Sequence, residues 1–76
     1  MDFNVVKEIS VECCESMYAI GVNYLKENNN IELNELLDKL VELGDNIRIC
    51  DDINELFNYK KLLDQLVNRI EVIVNA

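Results

Sequence analysis

The chain has no histidine and no proline, two glycines, and seven cationic residues against fifteen anionic ones in a total of 76. Each scarcity excludes something. Without His, the usual proton-transfer group near neutral pH is missing, and a cysteine nucleophile has no imidazole to activate it. Neither a Cys/His zinc site nor the Glu-x-x-His pairs of a di-iron helical bundle can be assembled. Two glycines cannot build a glycine-rich phosphate loop. The shortage of Lys and Arg, with a net charge of −8, argues against a phosphate backbone and against an anionic membrane surface. No stretch approaches the roughly 20 apolar residues that span a bilayer. The cysteines number three, two of them adjacent at Cys13 and Cys14, so there is no framework of paired cysteines and no Cys-x-x-Cys redox motif. Met1-Asp2-Phe3-Asn4 lacks a basic region followed by an apolar run. With free thiols, this predicts a cytoplasmic protein.

What is present is helical periodicity. Three windows carry it, and no strand alternation of comparable length competes. The first runs from about residue 3 to 26 and stops at Glu27-Asn28-Asn29-Asn30, whose side chains compete for backbone hydrogen bonds. The second starts there, with Asn29 as N-cap and Glu32 in capping-box position. Its stripe is Leu33, Leu36, Leu37, Leu40, Val41, Leu43 and Ile47. Gly44 is either its C-terminal cap or a close-packing point inside a longer helix ending before residue 50. The third begins after Asp51-Asp52, with Asp52 and Glu55 at capping-box spacing, and continues to residue 74. Its wide apolar face includes Leu56, Tyr59, Leu62, Leu63, Leu66, Val67, Ile70, Ile73 and Val74. The expected fold is all-α: one domain over residues 1–76, a small antiparallel three-helix bundle. Ile9, Ile20, Leu37, Leu40, Leu63, Leu66 and Ile70 are its expected core.

The first helix carries two apolar stripes. Val6, Ile9, Cys13, Met17, Ile20 and Tyr24 form one, and Val11, Cys14, Tyr18, Val22 and Leu25 form the other. A helix packed on one core needs only one. A domain this small buries only about 60% of its unfolded surface, and oligomerisation is a common supplement. The second stripe is therefore expected to be an interface, pairing two copies into a homodimer through the first helix. The rival is that residues 44–52 fold back over it, using Ile47 and Ile49. Tyr18, at the stripe's middle, has the amphipathic ring of an interface anchor.

The candidate chemistry is sparse. Cys13 is expected as a small core residue, Cys14 at the interface, and Cys50, near a loop, as the most reactive thiol. Glu8, Glu12 and Glu15 share a face of the first helix; as a group they suit a contact strip for a basic partner better than a metal. Asp45, Asp51 and Asp52 lack the spacing of a calcium loop. Lys60, Lys61 and Arg69 are too few for nucleic acid. No cofactor and no metal are expected. The segment Lys60-Lys61-Leu62-Leu63-Asp64, followed by Leu66, loosely resembles the Ser-Gln-Glu-Leu-Asp signature of small bacterial phosphatases of sporulation response regulators, matching it at Leu63 and Asp64. The first three positions depart, so no functional residue is carried over.

The sequence thus points to a non-enzymatic acidic module that binds a protein, either itself or a basic partner, with no nucleic acid and no membrane. Eleven Asn and eight Ile against two Ala and two Arg are the imprint of an AT-rich genome. By analogy of size and charge, small acidic helical proteins of phages and mobile elements act as inhibitors. The alternatives are a structural subunit of a larger complex and a phosphatase-like regulator of a signalling protein.

Overall fold

A computed structural model describes residues 2–76 and contains three α-helices: α1 (Phe3–Leu25), α2 (Ile31–Ile49) and α3 (Ile53–Val74). Each helix packs against the other two, and no strand occurs among the described residues. The bundle measures 39 × 18 × 16 Å, a length set by helices that rise about 1.5 Å per residue.

Each helix begins on a side-chain oxygen. Asp2 accepts from the Asn4 amide at 2.9 Å, Asn30 from Leu33 at 2.8 Å, and Asp52 from Asn54 at 2.7 Å. These bonds satisfy amides that a helix leaves without partners. The α2 cap is thus Asn30, one residue after the expected Asn29. That shift moves Glu32 out of capping-box position, and its carboxylate pairs with Arg69 of α3 instead. α2 continues through Gly44 to Ile49, so Gly44 is internal to the helix.

The connections 26–30 and 50–52 reverse the chain each time. Lys7, near the start of α1, donates to the Cys50 carbonyl just past the end of α2 at 2.8 Å. Arg69, late in α3, reaches Glu32 at the start of α2 with a second bond of 2.8 Å. α2 is therefore antiparallel to both neighbours.

The core repeats every seven residues on two helices. Leu33, Leu40 and Ile47 of α2, and Leu56 and Ile70 of α3, are fully enclosed, with Leu63 buried between the latter pair. Such spacing suits helices crossing at shallow angles. The α1 contribution differs from the sequence reading. Its buried residues are Ser10, Cys14, Met17 and Gly21, a line that takes Met17 from the first stripe and Cys14 from the second and adds Ser10 and Gly21, which belong to neither. Ile9 and Ile20, expected in the core, are 56% and 46% exposed, and Leu66 is half-buried. The two stripes are the shoulders of one broad apolar face whose centre is mostly small, Ser10, Cys14 and Gly21, with Met17 the one large side chain.

The small residues are there for proximity. A Cβ placed on Gly21 would lie 2.6 Å from Leu37 Cδ2, inside any van der Waals contact, so α1 and α2 meet there backbone to side chain. Gly44 faces Cys14 more loosely, its virtual Cβ 3.5 Å from the Cys14 Cβ. Ser10 satisfies its buried hydroxyl within its own helix, donating to the Val6 carbonyl at 2.8 Å. Ile47 is enclosed and Ile49 lies on the surface. Residues 44–49 are helical, so they continue α2 alongside α1 and form no separate segment folded back over it.

Candidate interaction surface

The two shoulders of α1 lead onto different seams. One faces α2. Tyr18, Glu15 and the Cys14 edge, with Leu40, Val41, Gly44 and Arg48 of α2, line a depression of about 260 Å³. Its floor is Cys14, Leu40 and Gly44, all three buried. Its apolar walls are Tyr18 and Val41, 42% and 47% exposed. Arg48 closes one end. Its guanidinium donates to Glu15 of α1 and to Asp45 of α2, each at 3.0 Å, and so spans the seam.

Beyond Arg48 the seam turns polar. Asn4, Lys7, Glu8, Val11, Glu12, Glu15 and Arg48 line a shallower trough that shares Glu15 and Arg48 with the apolar depression. The fold therefore brings Glu8, Glu12 and Glu15 together at one surface. Of the three, Glu15 alone has an ion-pair partner among the described residues.

The expected interface residues are divided by this arrangement. Tyr18 and Val22 are exposed; Val11 and Leu25 are half-buried against the core; Cys14 is buried, facing Gly44. Cys14 contributes to the groove floor and is a core residue. Missed by the sequence reading was the α2 half of the groove. In sequence Val41 belongs to the apolar stripe of α2 and Gly44 to its later turns, and only their position opposite Tyr18 and Cys14 gives them a shared role.

Charge separates the seams further. α1 carries Lys7 against Glu8, Glu12 and Glu15. α2 carries Lys39 and Arg48 against Glu32, Glu35, Asp38, Glu42 and Asp45. α3 balances Lys60, Lys61 and Arg69 against Glu55, Asp64 and Glu71. The pair α1 and α2 thus holds a net −5 and α3 none. The groove with apolar walls sits between the two acidic helices.

The other shoulder of α1 faces α3. Half-buried Cys13 lies there, its thiol pushed up by burial and by the nearby carboxylates of Asp64 and Glu71, against the opposing pull of Lys60. Cys14 is pushed up mainly by burial, with a further rise from the neighbouring Cys13 thiol. A raised thiol holds less thiolate at neutral pH and is a poorer nucleophile. Cys50, expected as the reactive thiol, is buried, and its Sγ lies 3.2 Å from the Asp52 carbonyl as a donor. Loop position did not leave it exposed, because the connection 50–52 is too short to lift away from the core.

Among the described residues, no three His, Cys, Asp or Glu side chains cluster in a way that could hold a metal ion. No helix among the described residues is long and apolar enough to cross a membrane. In the phosphatase-like segment, Leu63 is buried in the core and Asp64 pairs with Lys60 at 3.6 Å. Comparison with known protein families, with curated proteins and with solved structures returned no match.

Proposed function

We propose that this protein is a non-enzymatic binding module that acts by occupying a surface of a partner protein, in the manner of an inhibitor or regulator. One observation carries the reading: the apolar groove between α1 and α2 opens on the two helices that hold most of the negative charge. Apolar walls supply affinity by leaving water, and the surrounding charge selects basic partners and speeds encounter. The absence of His, with Cys13 and Cys14 raised by burial, leaves imidazole-based acid–base chemistry and thiolate attack without their usual groups.

The test uses the protein as bait in extract from its source cells, beside the variant Tyr18→Ala/Val41→Lys. Both positions are exposed, so an unchanged circular dichroism spectrum is expected. Partners held by the parent and lost by the variant support the reading. Identical captured sets for both sink it.

A second reading, self-association through α1, is favoured by a separate observation. Ile20 shares a surface with Ile70 and Val74 of α3, and Ile20, Val5 and Ile9 of α1 are exposed, as is Phe57 of α3. Phe57 stands two turns before Asp64, on the line of α3 that faces Cys13. α3 has no net charge, so two copies meet there without the repulsion that opposes pairing across the acidic α1–α2 seam. A homodimer on this seam uses Ile9 in place of the second stripe. Sedimentation at tens of micromolar should then give a dimeric mass that Ile9→Lys halves. A monomeric mass for the parent excludes this reading.

A further inference from the structure

We infer that the α1–α2 seam receives one amphipathic cationic helix, lying along it with an apolar anchor in the groove and basic side chains over the acidic trough. The inference rests on the binding-module reading and names its partner's chemistry. Three observations specify the occupant.

The seam is bipartite. Tyr18, Val41, Leu40 and Gly44 make its apolar half; Glu8, Glu12 and Glu15 make its carboxylate half, whose own cations are engaged, Lys7 on the Cys50 carbonyl and Arg48 on Glu15 and Asp45. The halves join at Glu15 and Arg48. From Glu12 to Tyr18 is under two turns of α1 and from Glu8 is nearly three, so the separation of the halves is on the order of 10 Å. A ligand helix therefore needs its anchor about two turns from its basic cluster.

Arg48 already demonstrates the recognition. Its guanidinium spans the seam, 3.0 Å from Glu15 on one side and 3.0 Å from Asp45 on the other. It is the chain's own cation in a position that a partner's Arg would repeat. Glu8 and Glu12 have no ion-pair partner among the described residues. They are the carboxylates left over for an incoming cation.

A second copy of this chain is the wrong occupant. Its helices present the same acidic edges, and a net −5 on each α1–α2 pair would face itself. Nucleic acid is repelled for the same reason. A helix with Lys or Arg beside Leu or Phe satisfies both halves, in the manner of an amphipathic helix laid into a groove.

The probe is a synthetic helical peptide with a Leu/Phe anchor and a Lys/Arg cluster about two turns away on the same face. A shuffled peptide of equal composition destroys the shared face, and a third peptide carries Glu in place of each cation. Fluorescence anisotropy measures each against the intact protein. The first peptide should bind saturably, and the shuffled one about tenfold more weakly or worse; the Glu peptide should not bind. Val41→Lys and Glu8→Lys/Glu12→Lys should each cost about tenfold. Arg48→Gln frees Glu15 and Asp45 for the ligand and should tighten binding about three- to tenfold, a gain that misfolding cannot mimic. Equal binding of the designed and shuffled peptides, indifference to Val41→Lys, or weaker binding by Arg48→Gln would each overturn the inference. If no peptide binds while groove-dependent capture from extract persists, only this class of partner falls. If groove-dependent capture is lost too, the binding-module reading falls with it.

Discussion

Alanine at the two helix-internal glycines should act in opposite directions, and the structure gives the size of the difference. Gly to Ala in a helix interior is worth about 1 kcal/mol through backbone entropy. At Gly44 the added Cβ meets Cys14 Cβ at 3.5 Å and its Sγ at 3.7 Å, ordinary contact distances. The full gain should appear, raising the melting temperature by about 4–8 °C for a domain of this size. At Gly21 the Cβ meets Leu37 Cδ2 at 2.6 Å, Cδ1 at 3.0 Å and Cγ at 3.2 Å. Cγ is not a free end, and Leu37 is buried, so rotation of one methyl cannot clear the space. Overpacking of this kind costs about 1–3 kcal/mol, which cancels or reverses the helical gain. The two variants should therefore differ by about 1–3 kcal/mol in urea unfolding followed by circular dichroism. A double-mutant cycle isolates the cause. Leu37→Ala alone should cost about 2–5 kcal/mol, and distinctly less in the Gly21→Ala background, where it also relieves the clash. Equal stabilisation by both alanines, or zero coupling between positions 21 and 37, refutes the close approach of α1 to α2.

Leu40→Ala should lose about 2–5 kcal/mol, while Ile9→Ala on the exposed shoulder should change stability by about 0.5 kcal/mol or less, so equal urea midpoints for the two refute the placement of α1. The Arg69 guanidinium, hydrogen-bonded to Glu32, holds that carboxyl below the ordinary carboxylate range. A carboxyl lowered on folding adds stability above its unfolded pKa and loses it as pH falls through the folded value. The small advantage of the parent over Glu32→Gln should thus hold at neutral pH and vanish on acidification; an advantage that persists in acid refutes the pairing. With a thiol-specific disulfide reagent, Cys13 should react first and slowly, and Cys14 and Cys50 only on unfolding; reaction of Cys50 first would show that the connection 50–52 opens.

Most of the helix plan was legible because it rests on long, uninterrupted patterns. Leu33, Leu40 and Ile47, then Leu56, Leu63 and Ile70, announce their buried lines at seven-residue spacing, and large apolar side chains carry them. α1 defeated the same reasoning because its buried line is Ser10, Cys14, Met17 and Gly21. Hydropathy scores a glycine and a serine as weak, so the eye follows Ile9 and Ile20 to one side and Tyr18 and Val22 to the other. The physical signal was size, with small residues recurring where a neighbouring helix comes close. Asn30 against Asn29 is a different failure: three consecutive Asn can all cap, and only the docking of Leu33 into the core decides which one does. That Glu8, Glu12 and Glu15 share one surface was readable from their spacing on one helix. The groove beside it was not, since Val41 and Gly44 belong to another helix.

The close approach also explains why α1 has apolar surface to spare. When a helix seats on small residues, its axis moves toward its neighbours, and the large residues flanking that line straddle the contact. Ile20 comes to stand beside Ile70 and Val74 of α3, and Tyr18 beside Leu40 and Val41 of α2, each partly covered and partly wet. Exposed apolar area on α1 is thus in the first place a by-product of packing, and by itself it identifies no binding site. What distinguishes the two shoulders is the setting that the other helices give them. On the α3 side the partner helix is charge-balanced. On the α2 side Cys14, Leu40 and Gly44 floor a recess, Arg48 bridges the rims, and uncompensated carboxylates continue the line. Recess, bridge and charge are independent of the cause that exposed Tyr18, and their convergence on one seam is the reason to place recognition there.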